Sequence, residues 1–90
     1  MKFEWDENKA NANKVKHGVA FDEATTIFGD PLALTFSDTA HSENEARFLT
    51  FGCSSNGKYL IVSHTDINDK IRVISAREMT RKERYDYEHF

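Results

Sequence analysis

Basic side chains are concentrated in one segment near the end of the chain, where their types suit the binding of phosphate groups. Six of the twelve Lys and Arg residues lie between positions 70 and 84. They are Lys70, Arg72, Arg77, Arg81, Lys82 and Arg84. Against two carboxylates, Glu78 and Glu83, these six cations give the segment a net charge of +4 within a chain of net charge −3. The pattern indicates a local cationic site rather than a general polycation.

Such a site could stabilise the transition state of RNA cleavage. Without a metal, this reaction needs a base for the 2′-hydroxyl proton, cations for the phosphorane and an acid for the leaving oxygen. We expect Arg72 and Arg77 to supply the positive charge, because the guanidinium fork matches phosphate oxygens. Lys58 is a further candidate cation, and His64 is a candidate base or acid because imidazole titrates near neutral pH. The alternatives are arginines that pair with the chain's own carboxylates and a structural, hydrogen-bonded His64.

The other histidines have less specific interpretations. His17 precedes Gly18 and fits the end of a helix, while His41 and His89 lie in polar surroundings without an evident role. No two histidines have metal-ligand spacing within one predicted element, so we expect no metal and no other cofactor.

Composition indicates one small globular domain spanning residues 1–90. The hydrophobic fraction of 39% and the aromatic fraction of 12% suffice for a folded core. Cys53 is the only cysteine, which excludes a disulfide framework and fits a reducing compartment. We find no apolar run near 18 residues and no signal-peptide pattern, and therefore expect a soluble cytoplasmic protein with no membrane contact.

The predicted fold class is α+β, with two N-terminal helices on a four-stranded, mostly antiparallel sheet and a C-terminal helix. Alternation predicts a short strand at Phe3–Trp5. An Asp6 cap predicts a helix to about Lys16, whose thin apolar stripe contains Ala12 and Val15, with Ala10 at its margin. A second helix is predicted between Phe21 and Gly29. Thr80 and Glu83 form a T-x-x-E capping box, which predicts that the last helix begins at Thr80.

The four predicted strands form a meander. They are Leu32–Phe36, Ala46–Ser54, Tyr59–Thr65 and Ile71–Arg77. Asn56-Gly57 predicts a type I′ hairpin turn, and residues 66–69 are predicted to form a four-residue turn. The trial register places Leu49 opposite His64, Val62 opposite Val73, and Ser63 opposite Arg72.

That register divides the sheet into two faces. The predicted core face carries Leu49, Phe51, Cys53, Leu60, Val62, Ile71 and Val73. The other face is mixed, includes Ser63 and Arg72, and could contact a partner or substrate. A shift of one residue would exchange the faces, because side chains alternate along a strand.

Short motifs along nearly the whole chain resemble the BrnT family. They are Phe3-Glu4-Trp5-Asp6, Lys16-His17-Gly18-Val19, Phe28-x-Asp30-Pro31-Leu32, Arg47-Phe48, His64-Thr65, Arg72-Val73-Ile74-Ser75-Ala76-Arg77 and Glu83-Arg84-x-x-Tyr87. The resemblance implies a RelE-superfamily-like fold and a ribonuclease toxin of a bacterial type II toxin–antitoxin system that arrests translation. It also implies a DNA-binding BrnA-like antitoxin and a toxin homodimer within a heterotetramer. We expect additional RNA contacts from Arg47, Lys70, Arg81 and Arg84.

Two other functions fit parts of the sequence. The basic segment could bind an acidic or disordered protein partner without catalysis, with arginines as interface anchors. A DNA-binding function is less consistent with the sequence, since no helix-turn-helix with a basic second helix is recognisable. The negative net charge requires that any RNA affinity come from local positive charge.

Overall fold

The computed structural model describes residues 1–90 and shows an α+β fold built on one five-stranded sheet. The helices are α1 (Glu7–His17), α2 (Phe21–Thr25) and α3 (Arg81–Glu88). The strands are β1 (Lys2–Glu4), β2 (Leu34–Ser37), β3 (Phe48–Cys53), β4 (Tyr59–Ile67) and β5 (Lys70–Glu78). Short 3-10 turns occupy Thr26–Gly29 and Thr39–His41. None of these helices has the length and apolar character needed to cross a membrane.

The sheet has one strand more than predicted. Its order is β1-β5-β4-β3-β2, and β1 joins the edge of β5 in parallel, with Phe3 opposite Ile71. The other neighbouring pairs are antiparallel. The prediction of four strands was wrong because the short N-terminal strand is part of the sheet.

The main buried contact of helix α1 with the sheet is made by an amide side chain. Asp6 caps the start of the helix, accepting a bond from the Lys9 N–H at 3.1 Å. The predicted stripe is wrong at Ala12, which is exposed, and at Val15, which is 89% exposed, whereas Ala10 packs against the core. Instead, the buried Asn13 side chain donates to the carbonyls of Val19 and Ala76 and accepts from the Ala76 N–H. Because β1 ends before this point of β5, the amide satisfies backbone groups that no neighbouring strand reaches.

The hydrophobic core lies between the sheet and the first two helices, as predicted. Its buried members are Val19, Phe21, Ala24, Ile27, Leu60, Val62, Val73 and Ala76. Trp5 and Phe28 pack against this cluster. We call the opposite side of the sheet the second face; α3 packs there, with Tyr87 against the ring of Tyr59.

The register between β3 and β4 differs from the prediction by one residue. Phe48, not Leu49, lies opposite His64. The loop between the strands has three residues, since the Ser54 N–H bonds the Lys58 carbonyl at 2.7 Å. Only Gly57 within it has a positive φ, at 81°, so the predicted type I′ turn is wrong.

This shift exchanges the two faces of β3. Thr50 and Gly52 point to the core, and Leu49, Phe51 and Cys53 lie on the second face. A Cβ on Gly52 would lie 3.0 Å from the Cβ of Ile27, so the glycine allows the 3-10 turn to approach the strand.

The β4–β5 hairpin is longer than predicted, with only Asn68 and Asp69 in the turn. Both have left-handed φ angles, of 50° and 65°, as a type I′ turn requires. Beyond a bulge next to Ser63, Val62 lies opposite Ala76 and Ser63 opposite Ser75. The predicted pairings of Val62 with Val73 and of Ser63 with Arg72 were therefore wrong.

Candidate functional site

An open groove crosses the second face between the loop after β2 and the end of β5. It encloses about 390 Å³ and is lined by Asp38, His41, Arg47, Leu49, Ser63, Ile74, Ser75 and Arg77. We call it the polar groove.

Strand register explains the shape of the polar groove. Leu49, Ser63 and Ser75 lie side by side across β3, β4 and β5. The two serines are short, so they form a low floor between longer side chains. Arg77 borders this floor two residues further along β5, opposite Ile61. The groove thus combines hydroxyl groups with cations at its edges.

Arg77 is held by a bidentate ion pair with Glu83 of α3. Its Nη1 and Nη2 donate to Glu83 Oε1 and Oε2 at 2.8 and 3.0 Å. The bond from Arg77 lowers the pKa of the Glu83 carboxyl to about 2, and the same bond raises the pKa of the guanidinium. Glu83 also accepts from the Thr80 N–H at 2.8 Å, and Thr80 Oγ1 accepts from the Glu83 N–H. The predicted capping box is confirmed, and one of its members neutralises a candidate catalytic arginine.

His41 and Arg47 reach the groove from the loop between β2 and β3. Hydrogen bonds between the two ends of this loop hold it closed. His41 Nδ1 lies 3.0 Å from Asp38 Oδ2, and the His41 side chain is 69% exposed. Ser42 Oγ donates to the Asp38 carbonyl at 2.6 Å and accepts from the Arg47 N–H at 3.0 Å. The Asp38 N–H in turn donates to the Arg47 carbonyl at 2.8 Å. A carboxylate therefore holds one ring nitrogen of an exposed histidine beside an arginine.

Sequence reasoning missed His41. The available signal was its spacing from Asp38, three residues earlier, in a loop that ends at an arginine. That spacing lets a carboxylate orient an imidazole within one turn of chain.

Arg72 lies on the second face but outside the polar groove. Its Nε and Nη2 both lie 3.0 Å from Glu4 Oε2, and Lys70 Nζ lies 3.8 Å from Glu4 Oε1. The predicted catalytic Arg72 and the predicted RNA contact Lys70 are thus both paired with a carboxylate at the β1 edge of the sheet.

His64 lies on the core face, with both ring nitrogens occupied. Nε2 lies 2.7 Å from Thr50 Oγ1 and Nδ1 lies 3.2 Å from Asp66 Oδ1. The residue is only 2% exposed, and its ring packs between Phe28 and Phe48. Burial lowers the pKa of His64 more than the Asp66 carboxylate raises it. The arrangement is that of a neutral structural histidine.

The remaining predicted cations lie away from the groove. Lys58 Nζ is 3.8 Å from Glu23 at the β3–β4 turn. The Arg84 guanidinium lies 4.0 Å from the centre of the Tyr59 ring, and Arg81 is exposed at the start of α3. Of the eight candidates, the structure brings Arg47 and Arg77 together.

Asp30 fixes α3 to the second face. Its Oδ2 accepts from the Tyr87 hydroxyl at 2.7 Å and from the Cys53 N–H at 2.8 Å, and its Oδ1 accepts from the Leu32 N–H at 2.9 Å. Burial raises the pKa of Asp30, but the three donated bonds outweigh it and the net pKa is lowered. Burial and the bond to Asp30 raise the pKa of Tyr87. Two residues from distant motifs therefore form one anchor.

A metal-ligand cluster is absent: no group of three or more His, Cys, Asp or Glu side chains could hold a metal ion.

Comparisons with known proteins agree with this fold and with the sequence motifs. Residues 5–83 match the model of a family described as ribonuclease toxin, BrnT, of type II toxin–antitoxin system. The crystal structure of the Brucella abortus ribonuclease toxin BrnT is similar, with 25% sequence identity and a TM-score of 0.71. The similarity covers 90% of this chain and 99% of that chain. A search of curated proteins gave no match. The chain belongs to the BrnT family of ribonuclease toxins of type II toxin–antitoxin systems.

Proposed function

We propose that this toxin cleaves RNA in the polar groove without a metal ion. The observation that carries the proposal is the convergence of Arg47, Arg77 and His41 on one open groove. The two arginines can stabilise the phosphorane, and the imidazole can take the 2′-hydroxyl proton and then, as imidazolium, protonate the leaving 5′-oxygen. Belonging to a family of ribonuclease toxins supports the reaction class.

His41 is the proposed proton-transfer group. Its Nδ1 lies within hydrogen-bond distance of both Asp38 carboxylate oxygens, at 3.2 and 3.0 Å. A proton on Nδ1 satisfies that bond and leaves the Nε2 lone pair free to accept the 2′-hydroxyl proton. Asp38 therefore orients the base and stabilises the imidazolium that forms.

Arg47 and Arg77 are the proposed ligands of the scissile phosphate. The guanidinium of Arg47 forms no ion pair within the chain, so it can bind phosphate without losing an internal partner. Two arginines can place donors on two phosphate oxygens, where negative charge grows in the transition state. Arg72, His64 and Lys58 are not part of this proposed centre, because none of them lines the polar groove.

Cleavage with purified protein tests the centre. We expect wild-type protein to cleave RNA in excess EDTA, and Arg77→Ala and His41→Ala each to lose about two to three decades in rate. His89→Ala is the matched control, since His89 is exposed just after the end of α3 and does not line the groove. Melting temperatures of the same samples separate lost chemistry from lost folding. A folded His41→Ala protein with wild-type rate would remove His41 from the mechanism.

The wider proposal is that cleavage inhibits translation in the bacterial cytoplasm and that a BrnA-like antitoxin neutralises the toxin. As in the family-based expectation, we propose a toxin homodimer within a heterotetramer. Induced expression should stop growth and amino-acid incorporation, and co-expression of the neighbouring antitoxin gene should restore both. Light scattering of the purified complex measures the stoichiometry, and a 1:1 assembly would contradict the heterotetramer.

A further inference from the structure

The bidentate fork of Arg77 is already occupied. Its two terminal nitrogens bond the two Glu83 oxygens at 2.8 and 3.0 Å, and Nη1 also donates to the Glu78 carbonyl at 3.3 Å. Two phosphate oxygens would bind the same edge of the guanidinium in the same manner. Glu83 thus holds the position that the phosphate needs.

We propose that Glu83 masks Arg77 and that RNA must displace this carboxylate to bind productively. The inference rests on the proposed function, because it takes Arg77 to be a phosphate ligand. Both partners are accessible to a competing anion: the Arg77 side chain is 42% exposed and the Glu83 side chain 29% exposed. A phosphate offers the same bidentate geometry with at least as much negative charge, so it can exchange with the carboxylate at a partly exposed pair.

Displacement does not require α3 to unfold. Glu83 Oε1 accepts both from Arg77 and from the Thr80 N–H, each at 2.8 Å. A carboxylate that loses Arg77 can therefore keep its bond within the capping box. The anchor between Tyr87 and Asp30 is also independent of this pair. RNA binding is coupled to the contact between α3 and β5 only, and the coupling is reciprocal.

Replacing Glu83 with Gln tests masking while preserving the helix cap. Glutamine at the third helical position also forms a capping box, but it has no charge and cannot accept both Arg77 donors. Glu88→Gln is the matched control, since Glu88 lies on the same helix and pairs with Arg84 at 3.5 Å. Both variants change the net charge equally, so any general electrostatic gain in RNA binding appears in both.

The measurement is the Kd of a mixed-sequence 2′-O-methyl oligoribonucleotide, which lacks the nucleophile for cleavage, at fixed salt. We expect Glu83→Gln to bind it about two- to fivefold more tightly than Glu88→Gln, the range that a partly exposed ion pair supports. Glu83→Asp provides a second variant, because it keeps the charge but its shorter side chain does not span to the fork. It should also bind more tightly than wild type.

Arg77→Ala separates the failure of this inference from the failure of the proposed function. If Arg77→Ala weakens binding, but Glu83→Gln binds no more tightly than Glu88→Gln and Glu83→Asp binds no more tightly than wild type, masking is wrong and the phosphate role stands. If Arg77→Ala binds as wild type does, the phosphate role itself fails. In the masking account, the gain from Glu83→Gln disappears when it is combined with Arg77→Ala.

Discussion

Tyr87→Phe removes one hydroxyl and should loosen the whole of α3 from the sheet. That hydroxyl donates to Asp30, which also receives backbone N–H bonds from the end of β3 and from Leu32. The substitution keeps the ring that packs against Tyr59. It therefore tests the hydrogen bond with little change in packing.

The magnitude follows from the charge on the acceptor. A hydrogen bond to an ionised group contributes about 1.5–3 kcal/mol. Asp30 keeps two backbone donors after the substitution and the site is partly exposed, so we expect the lower end, about 1.5 kcal/mol. For a domain of this size, 1 kcal/mol corresponds to about 4–8 °C in Tm. Tyr87→Phe should therefore lower Tm by about 6–12 °C.

Tyr85→Phe is the control, since Tyr85 lies on the same helix and is 60% exposed. Its loss of a hydroxyl should change the free energy of unfolding by less than about 0.5 kcal/mol. Thermal and urea unfolding followed by circular dichroism measure both variants. Equal Tm values for the two variants would refute the anchor.

Alkaline titration gives a second test of the same bond. Because the folded state raises the pKa of Tyr87 above its ordinary value near 10, the bond stabilises the protein fully below that pH. Its contribution is lost as pH rises further and the unfolded chain ionises. Stability of the wild type should fall in this range more steeply than that of Tyr87→Phe. Parallel curves would show that Tyr87 ionises freely in the folded protein.

Four further substitutions test the fold and its acid stability by urea unfolding. Gly57→Val puts a β-branched residue at a φ of 81° and should cost more than about 1 kcal/mol. Asp69→Gly relieves a left-handed residue with φ of 65° and should stabilise by about 0.5 kcal/mol. Asn13→Leu leaves the buried N–H and carbonyl of Ala76 without hydrogen-bond partners, and should lower the free energy of unfolding by at least about 2 kcal/mol. Folding lowers the pKa of Glu83 from an ordinary value of 4.5 to about 2. The ionised Glu83 therefore stabilises the folded state fully above pH 4.5, and this stabilisation is lost as the pH falls towards 2. The free energy of unfolding of Glu83→Gln should not show this acid-dependent decrease.

Local signals in the sequence predicted the helices well. Asp6 before α1, Gly18 with its φ of 72° after it, and the Thr80–Glu83 capping box all occur as expected. Each rests on side chains and backbone within one turn of helix, so no tertiary information is needed. Predicting which face of α1 is buried did require tertiary information. The burial of Asn13 is explained only by the unpaired edge of β5 near Ala76.

The faces of β3 could not be read from hydrophobicity because α3 also packs on part of the second face, so apolar side chains are found on both faces. Leu49, Phe51 and Cys53 are more apolar than Thr50 and Gly52, yet the latter pair faces the core. Thr50 is acceptable there because its hydroxyl bonds His64 at 2.7 Å. The side chains of Leu49, Phe51 and Cys53 instead pack on the second face, where Phe51 contacts Phe36 of β2.

The polar groove depends on a bulge in β5 that no local sequence pattern predicts. Arg72 and Arg77 are five residues apart, so a regular strand would direct them to opposite faces. The bulge places Ile74 as an extra residue in β5: Arg72 lies opposite Thr65, while Arg77 lies opposite Ile61. Thr65 and Ile61 point to the same face of β4, and so both arginines reach the second face. Bulges are common beside functional sites because they redirect side chains. Here the bulge brings Ser75 and Arg77 to the polar groove, and it leaves Arg72 with Glu4 at the sheet's edge.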